Sequence, residues 1–169
     1  CLQLTKNIAL NANKVIYLDT EGVSMERLKQ LAGDNYDKVM KNTLIFKAHS
    51  FDEQENFLDK IEKLALKKDM DIGMVIVDSL TIFYRTKLND GERQETASRL
   101  GRMLIKLLKV ARLKDIPVIV TTQVYSGNDT TEPLGGHILY HNAKTIIQLE
   151  NEGPHVRKCT LIKHRSSAE

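Results

Sequence analysis

Three short apolar runs in this sequence each end in side chains able to do chemistry. VIYLDTEG (15–22) runs into Asp19 and Glu21, GMVIVDS (73–79) into Asp78 and Ser79, and PVIVTTQ (117–123) into Thr122 and Gln123. A lone carboxylate is costly in an apolar interior, so carboxylates just past a buried strand belong at its exposed end. In an open α/β sheet those ends border the crevice where ligands bind. An Asp on a rigid strand offers the oxygen ligands that a hard cation such as Mg²⁺ wants. A nearby Glu can align or deprotonate water, and a Gln amide can position that water or sense a phosphate. Apolar strands that end in Asp are common turn chemistry when taken singly. It is the three together, in this order, that point to a phosphate site faced by the carboxylates.

Positioning such groups requires alternating strands and helices, and the pattern supplies them. Strands are expected at 15–19, 43–47, 73–78 and 117–123, separated by helical stretches, which suggests βαβ units and a mostly parallel sheet. Cys1 to Leu10 reads as a helix already under way. Ser24 is the expected N-cap of a helix to about Leu31, and Ser50 with Glu53 matches the capping box of a helix to about Lys68. Residues 85–91 read as a loop. A long helix follows over about 92–113, with Leu100, Met103, Leu104, Leu107, Leu108 and Ala111 inward and Arg99, Arg102, Lys106, Lys109 and Arg112 on its other side. The segment 125–136 is rich in Gly, Asn, Asp, Thr and Pro and reads as a mobile loop. Strands at about 144–149 and 156–164 flank a Gly153-Pro154 turn, as a hairpin expected at the sheet edge.

The totals fit this picture. A chain of 169 residues suits one domain, and 41% hydrophobic with 28% charged residues is ordinary globular composition without a run long enough for a membrane span. Cys1 and Cys159 lie far apart without metal-ligand spacing, and no signal peptide opens the sequence, so the expected location is cytoplasmic. A net charge of +3 is too small to argue for nucleic acid by itself. Between 85 and 114, however, nine Lys or Arg residues stand against three acids.

VIYLDTEG, IVDSLTIFYR (76–85), VIVTTQV (118–124) and the Gly135-Gly136 step resemble the ATPase core of the RecA/RadA recombinase family over nearly the whole chain. The short loops and the ending LIKHRSS most resemble its archaeal RadB branch. The resemblance implies a RecA-like three-layer αβα P-loop NTPase core, with a mostly parallel central sheet and a C-terminal antiparallel hairpin. It implies that Glu21 activates the attacking water, and that Asp78, followed by Ser79, is the Walker B position near Mg²⁺. Gln123 would link the γ-phosphate to a second DNA-binding loop near 125–136, with Ser126, Gly127, Asn128, Gly135 and Gly136. A first such loop, near 85–92, would carry Arg85 and Lys87, with Arg93 just beyond it. Lys163 and Arg165 resemble a K-x-R pair that reaches a neighbouring subunit's ATP, although an exposed edge-strand charge pair explains them equally well.

The implied cofactors are ATP and Mg²⁺, and the implied partners are DNA, the main recombinase and a Holliday-junction resolvase, with a homo-oligomer allowed and no membrane. The implied function is an ATP- and DNA-binding protein of homologous recombination and repair that assists or regulates the main recombinase, with weak ATP hydrolysis in the intact protein. The alternatives are a strand-exchange recombinase with its own filament and a KaiC-like signalling ATPase. No G-x-x-x-x-G-K-[ST] occurs in these residues, so the expectation is that 1–169 is a single core domain starting downstream of its own Walker A strand and loop, N-terminally truncated and inactive by itself.

Other features read more plainly. The basic side of the 92–113 helix reads as a solvated face in preference to a DNA track. His137 and His141 stand at i, i+4, but without a third ligand in view a structural role is expected. The lack of Trp argues against a base-stacking platform, so phosphate contacts would dominate any DNA binding.

Overall fold

Four of the expected strands form and pair in parallel: β1 (Lys14–Asp19), β2 (Thr43–Lys47), β3 (Ile72–Asp78) and β4 (Val118–Val120), in the order β2-β1-β3-β4. The structure is a computed structural model. It describes residues 1–11, 13–88, 93–126 and 131–166, the side chains of 125, 126, 131 and 132 excepted. Strands buried on both faces need apolar residues at successive positions. Val15, Ile16, Leu18, Val75, Ile76 and Val77 are accordingly 0% exposed. The register sets Asp19 level with both Lys47 and Asp78, which brings the strand ends together.

The helices are α1 (Leu2–Leu10), α2 (Met25–Ala32), α3 (Tyr36–Lys41), α4 (Phe51–Ala65), α5 (Ile82–Leu88), α6 (Arg93–Lys114) and α7 (Gly136–Asn142). Strand alternation sorts them into layers. Ile16, Leu18, Val75 and Val77 share a core cluster with Phe51, Leu58, Ile61, Leu100, Met103 and Leu107 of α4 and α6. Val15, Tyr17, Met74 and Ile76 point the other way, into a cluster with Ala9, Leu28 and Val39 of α1 to α3. Close approach on that side explains Gly73, where an added Cβ would lie 2.6 Å from Asn13 Cβ and 2.8 Å from Ile8 Cγ2. Both serine caps form: Ser24 Oγ accepts from Arg27 N–H and Ser50 Oγ from Glu53 N–H, each at 3.1 Å. Glu53 completes its box by accepting the His49 amide instead of that of Ser50.

The basic side of α6 is solvated only in part: Arg102, Lys109 and Arg112 are exposed, while much of the face is paired with α4. Arg99 bonds Asp52 and Glu55, Lys106 bonds Asp59, and Lys109 bonds Glu62, all on α4. Lys114 donates to the Lys67 carbonyl beyond the end of α4. Four of these partners are separated by the same 47 residues, as two parallel helices lying side by side in register require. Val110 is buried on α6, where the sequence pattern pointed to Ala111.

Three local expectations are corrected. Residues 82–88 are helical, not a loop from 85: the Arg85 amide donates to the Thr81 carbonyl, and Tyr84 packs its ring 6.4 Å from that of Phe51. Tertiary packing there overrides the low helix propensity of the Ile-Phe-Tyr run. Regular pairing of the 117–123 strand stops at Val120, and the following segment forms its own antiparallel pair, β5 (Val124–Ser126) with β6 (Thr131–Pro133). The C-terminal hairpin, β7 (Thr145–Gly153) with β8 (Val156–His164), forms a separate two-stranded sheet instead of extending the parallel one. Its anchor is α7, where Lys163 Nζ donates to the Tyr140 carbonyl at 2.5 Å and lies over the Tyr140 ring. No described helix is long and apolar enough to cross a membrane.

Candidate functional site

The turn after β1 is built around Asp19. This carboxylate is only 4% exposed, and it accepts the backbone N–H groups of Gly22 at 2.8 Å, Val23 at 2.9 Å and Glu21 at 3.2 Å. Gly22 adopts φ +92, a region that a residue with a Cβ enters at a cost. Asp19 therefore serves its own turn, and Glu21 is the carboxylate that the turn presents outward. Of the two expected carboxylates, Asp19 is committed to its own turn although it borders the crevice, and Glu21 is the exposed one.

Asp78, at the end of β3, is held from both neighbouring strands. Tyr17 on β1 donates its hydroxyl to Asp78 Oδ2, and Thr121, just past β4, donates to Oδ1, both at 2.5 Å. Burial first, then the hydrogen bond and negative charge of Asp78, push the Tyr17 phenol above its ordinary pKa, so it remains a donor. Ser79 is turned inward at 2% exposure. Its Oγ is buried without a hydrogen-bond partner among the described residues, while its backbone is paired with Thr20 Oγ1.

Gln123 meets Glu21 across 102 residues of sequence, with Nε2 at 3.5 Å from Oε1. Its amide donates to Thr81 Oγ1 at 3.2 Å, and its carbonyl accepts the Leu134 amide at 2.8 Å. The Gln123 backbone thus connects the strand ends to the β5–β6 segment. Of the side chains expected at the strand ends, Glu21 and Asp78 border one crevice and Gln123 meets Glu21.

A cavity of about 280 Å³ opens there, lined by Leu2, Tyr17, Asp19, Glu21, Gly22, Val23, Ser24 and Asp78. Leu2 of α1 shares this space with the carboxylates of Asp19, Glu21 and Asp78. A cation facing these carboxylates would meet the opposite charge. Among the described residues no group of three or more His, Cys, Asp or Glu could hold a metal ion unaided.

The remaining candidates are dispersed. Arg85 and Lys87 lie on α5 and Arg93 opens α6. Ser126 ends β5, while Gly127 and Asn128 lie outside the described residues. Gly135, at φ +89, is the N-cap of α7, and Gly136 is its first residue. Lys163 is engaged with Tyr140, whereas Arg165 is exposed near the end of the chain. His137 and His141 bond each other, Nε2 to Nε2 at 2.8 Å. Sequence reasoning passed over Tyr17, Thr20 and Thr121 because each reads as strand filler. The signal was a hydroxyl on a neighbouring strand or its end within reach of Asp78 and Ser79, visible only once register is known.

Residues 1–169 match the Rad51 family. The DNA repair and recombination protein RadB of Methanococcoides burtonii is 40% identical over 172 residues, which is 100% of this chain and 75% of that protein. The RadB of Archaeoglobus fulgidus is 39% identical over 168 residues, 98% of this chain and 73% of that protein. A crystal structure of the RadB recombinase superposes with a TM-score of 0.77 and 31% identity, over 99% of this chain and 77% of the other. With this coverage, a parallel α/β core and an antiparallel hairpin in common, the chain belongs to the Rad51 family of RecA-like proteins.

Proposed function

We propose that these residues are the ATP- and DNA-binding core of a protein of homologous recombination and DNA repair that assists or regulates the main recombinase, with weak ATP hydrolysis in the intact protein. The observation that carries the reading is the crevice lined by Glu21 and Asp78 together, with Gln123 against Glu21. Relatives named as DNA repair and recombination proteins support the biological setting.

In this reading Glu21 orients and deprotonates the attacking water, held in place by the turn that Asp19 ties. Asp78 would hold Mg²⁺ through its carboxylate, and the buried Ser79 oxygen lies next to it in sequence. When bound, MgATP supplies the phosphoryl group and the cation that offsets charge on its oxygens. Gln123 reports occupancy from Glu21 to the β5–β6 segment through its backbone bond to Leu134. Arg85, Arg93 and the 125–136 segment contact DNA phosphates, and Lys163 with Arg165 reach a neighbouring copy when the Tyr140 contact is released.

The test is nucleotide and DNA binding by the full-length protein, with Glu21→Gln beside it. Expected are ATP binding in both, slow hydrolysis lost in the variant, DNA affinity that falls steeply with salt, and no strand exchange. A full-length protein that binds neither ATP nor DNA would overturn the proposal, and autonomous strand exchange would replace it with a filament-forming recombinase.

A further inference from the structure

Resting on the nucleotide-site reading, we propose that Tyr17 is a positioning residue: its buried hydroxyl, together with that of Thr121, locks the Asp78 carboxylate in the orientation that receives a divalent cation. Tyr17 sits two residues before Asp19 on β1, and Asp19 is level with Asp78. At a rise of about 3.3 Å per residue, the Tyr17 side chain must span roughly 6–7 Å along the strand to reach Asp78. A phenol has that length and the smaller hydroxyl side chains do not. Its ring is 2% exposed, packed in the cluster under α1 to α3, so the hydroxyl is delivered from a rigid support.

Across the sheet order β1-β3-β4, each Asp78 oxygen receives one hydroxyl from a different neighbouring strand, Oδ2 from Tyr17 and Oδ1 from Thr121. The terminal torsion of an Asp side chain is otherwise broad. Two charge-assisted bonds from opposite sides remove that freedom. The lone pairs left over are those not taken by the sheet, on the side where Asp78 lines the crevice with Leu2 and Glu21. A purely structural Tyr17, which only needed an acceptor for its own hydroxyl, would affect folding stability and nothing else.

The experiment measures Mn²⁺ binding by electron paramagnetic resonance to the full-length protein with ATP present, in place of Mg²⁺. It compares the native protein, Tyr17→Phe, Asp78→Asn and the double variant, with ATP affinity in EDTA and urea stability followed in parallel. Tyr17→Phe keeps the ring, and is expected to weaken Mn²⁺ binding about tenfold, well beyond any change in cation-free ATP binding. Asp78→Asn is expected to weaken it further, and Tyr17→Phe should add little in that background, because its effect runs through the carboxylate. If Asp78→Asn weakens Mn²⁺ binding but Tyr17→Phe does not, or if the two effects add in full, the positioning role is wrong and the site reading survives. If Asp78→Asn has no effect, the site reading fails and takes the Tyr17 role with it. Thr121→Val, which removes the second hydroxyl at nearly constant volume, provides a second variant should Tyr17→Phe fold poorly.

Discussion

The hydroxyl of Thr20 accepts the Ser79 amide at 2.7 Å and donates to the Ser79 carbonyl at 2.8 Å, so one side chain joins the ends of β1 and β3 across 59 residues. Both residues are buried, at 9% and 2% exposure, so neither backbone group has water as a ready substitute. Thr20→Val keeps the shape and leaves both groups unpaired. It is expected to cost about 2 kcal/mol or more in urea unfolding, while Thr20→Ser costs less than half of that. Equal losses for the two would show that the methyl packing, not the hydroxyl clasp, matters at this position.

Asp19 holds the turn that presents Glu21. Asp19→Ala frees three backbone N–H groups at once and should destabilise the fold by about 1–3 kcal/mol. In the full-length protein its ATP turnover should fall by about tenfold or more, because Glu21 loses its support while the crevice keeps its other walls. Comparing turnover with ATP affinity separates the two effects, and a variant with normal turnover would remove Asp19 from the support of Glu21.

Asp52 titrates with a definite sign. Its hydrogen bond to Arg99 and the charge of that guanidinium lower its folded pKa below the ordinary carboxylate value. The contribution of the pair is therefore fully present above the unfolded pKa of about 3.9 and disappears as pH falls through the lower folded value. The Asp52 side chain is 65% exposed, so the effect is small and screened by salt. Thermal unfolding of Asp52→Asn against the native chain should show a gap near neutral pH that closes on acidification. A gap that widened in acid would reverse the sign.

The α4–α6 ladder predicts where DNA is not bound. Lys109 pairs with Glu62 and Arg99 with Asp52 and Glu55, so their charge is already matched inside the fold. Lys109→Ala should leave DNA affinity within about twofold, whereas Arg85→Ala should weaken it across sequences and lower the salt slope by about one. Fluorescence anisotropy over a salt series reads both, and a strong loss in Lys109→Ala would place DNA along α6.

The strands at 15–19 and 73–78 were legible because a parallel strand buried on both faces needs an unbroken apolar run, the half-buried edge strand at 43–47 through Leu44, Ile45 and Phe46, and the caps at Ser24 and Ser50 because their chemistry is local. Helix α5 was not, since its Ile-Phe-Tyr run carries strand-like propensities that Tyr84 packing on Phe51 overrules. The same limit applies to the site. The strand-end pattern named Asp19 and Ser79 beside Glu21, Asp78 and Gln123, and only the fold separated them, by burying Asp19 and Ser79 to 4% and 2% exposure.

Their partners could not be named, because a hydrogen bond between Tyr17 and Asp78, or between Thr20 and Ser79, depends on which strands are neighbours and in what register. The basic face of α6 is the clearest case. The sequence determined that Arg99, Lys106 and Lys109 share one side of a helix, since 3.6-residue periodicity is a property of the chain alone. Only the tertiary structure decided that this side meets the acids of α4, because charge pairing across 47 residues requires two helices to pack side by side in register.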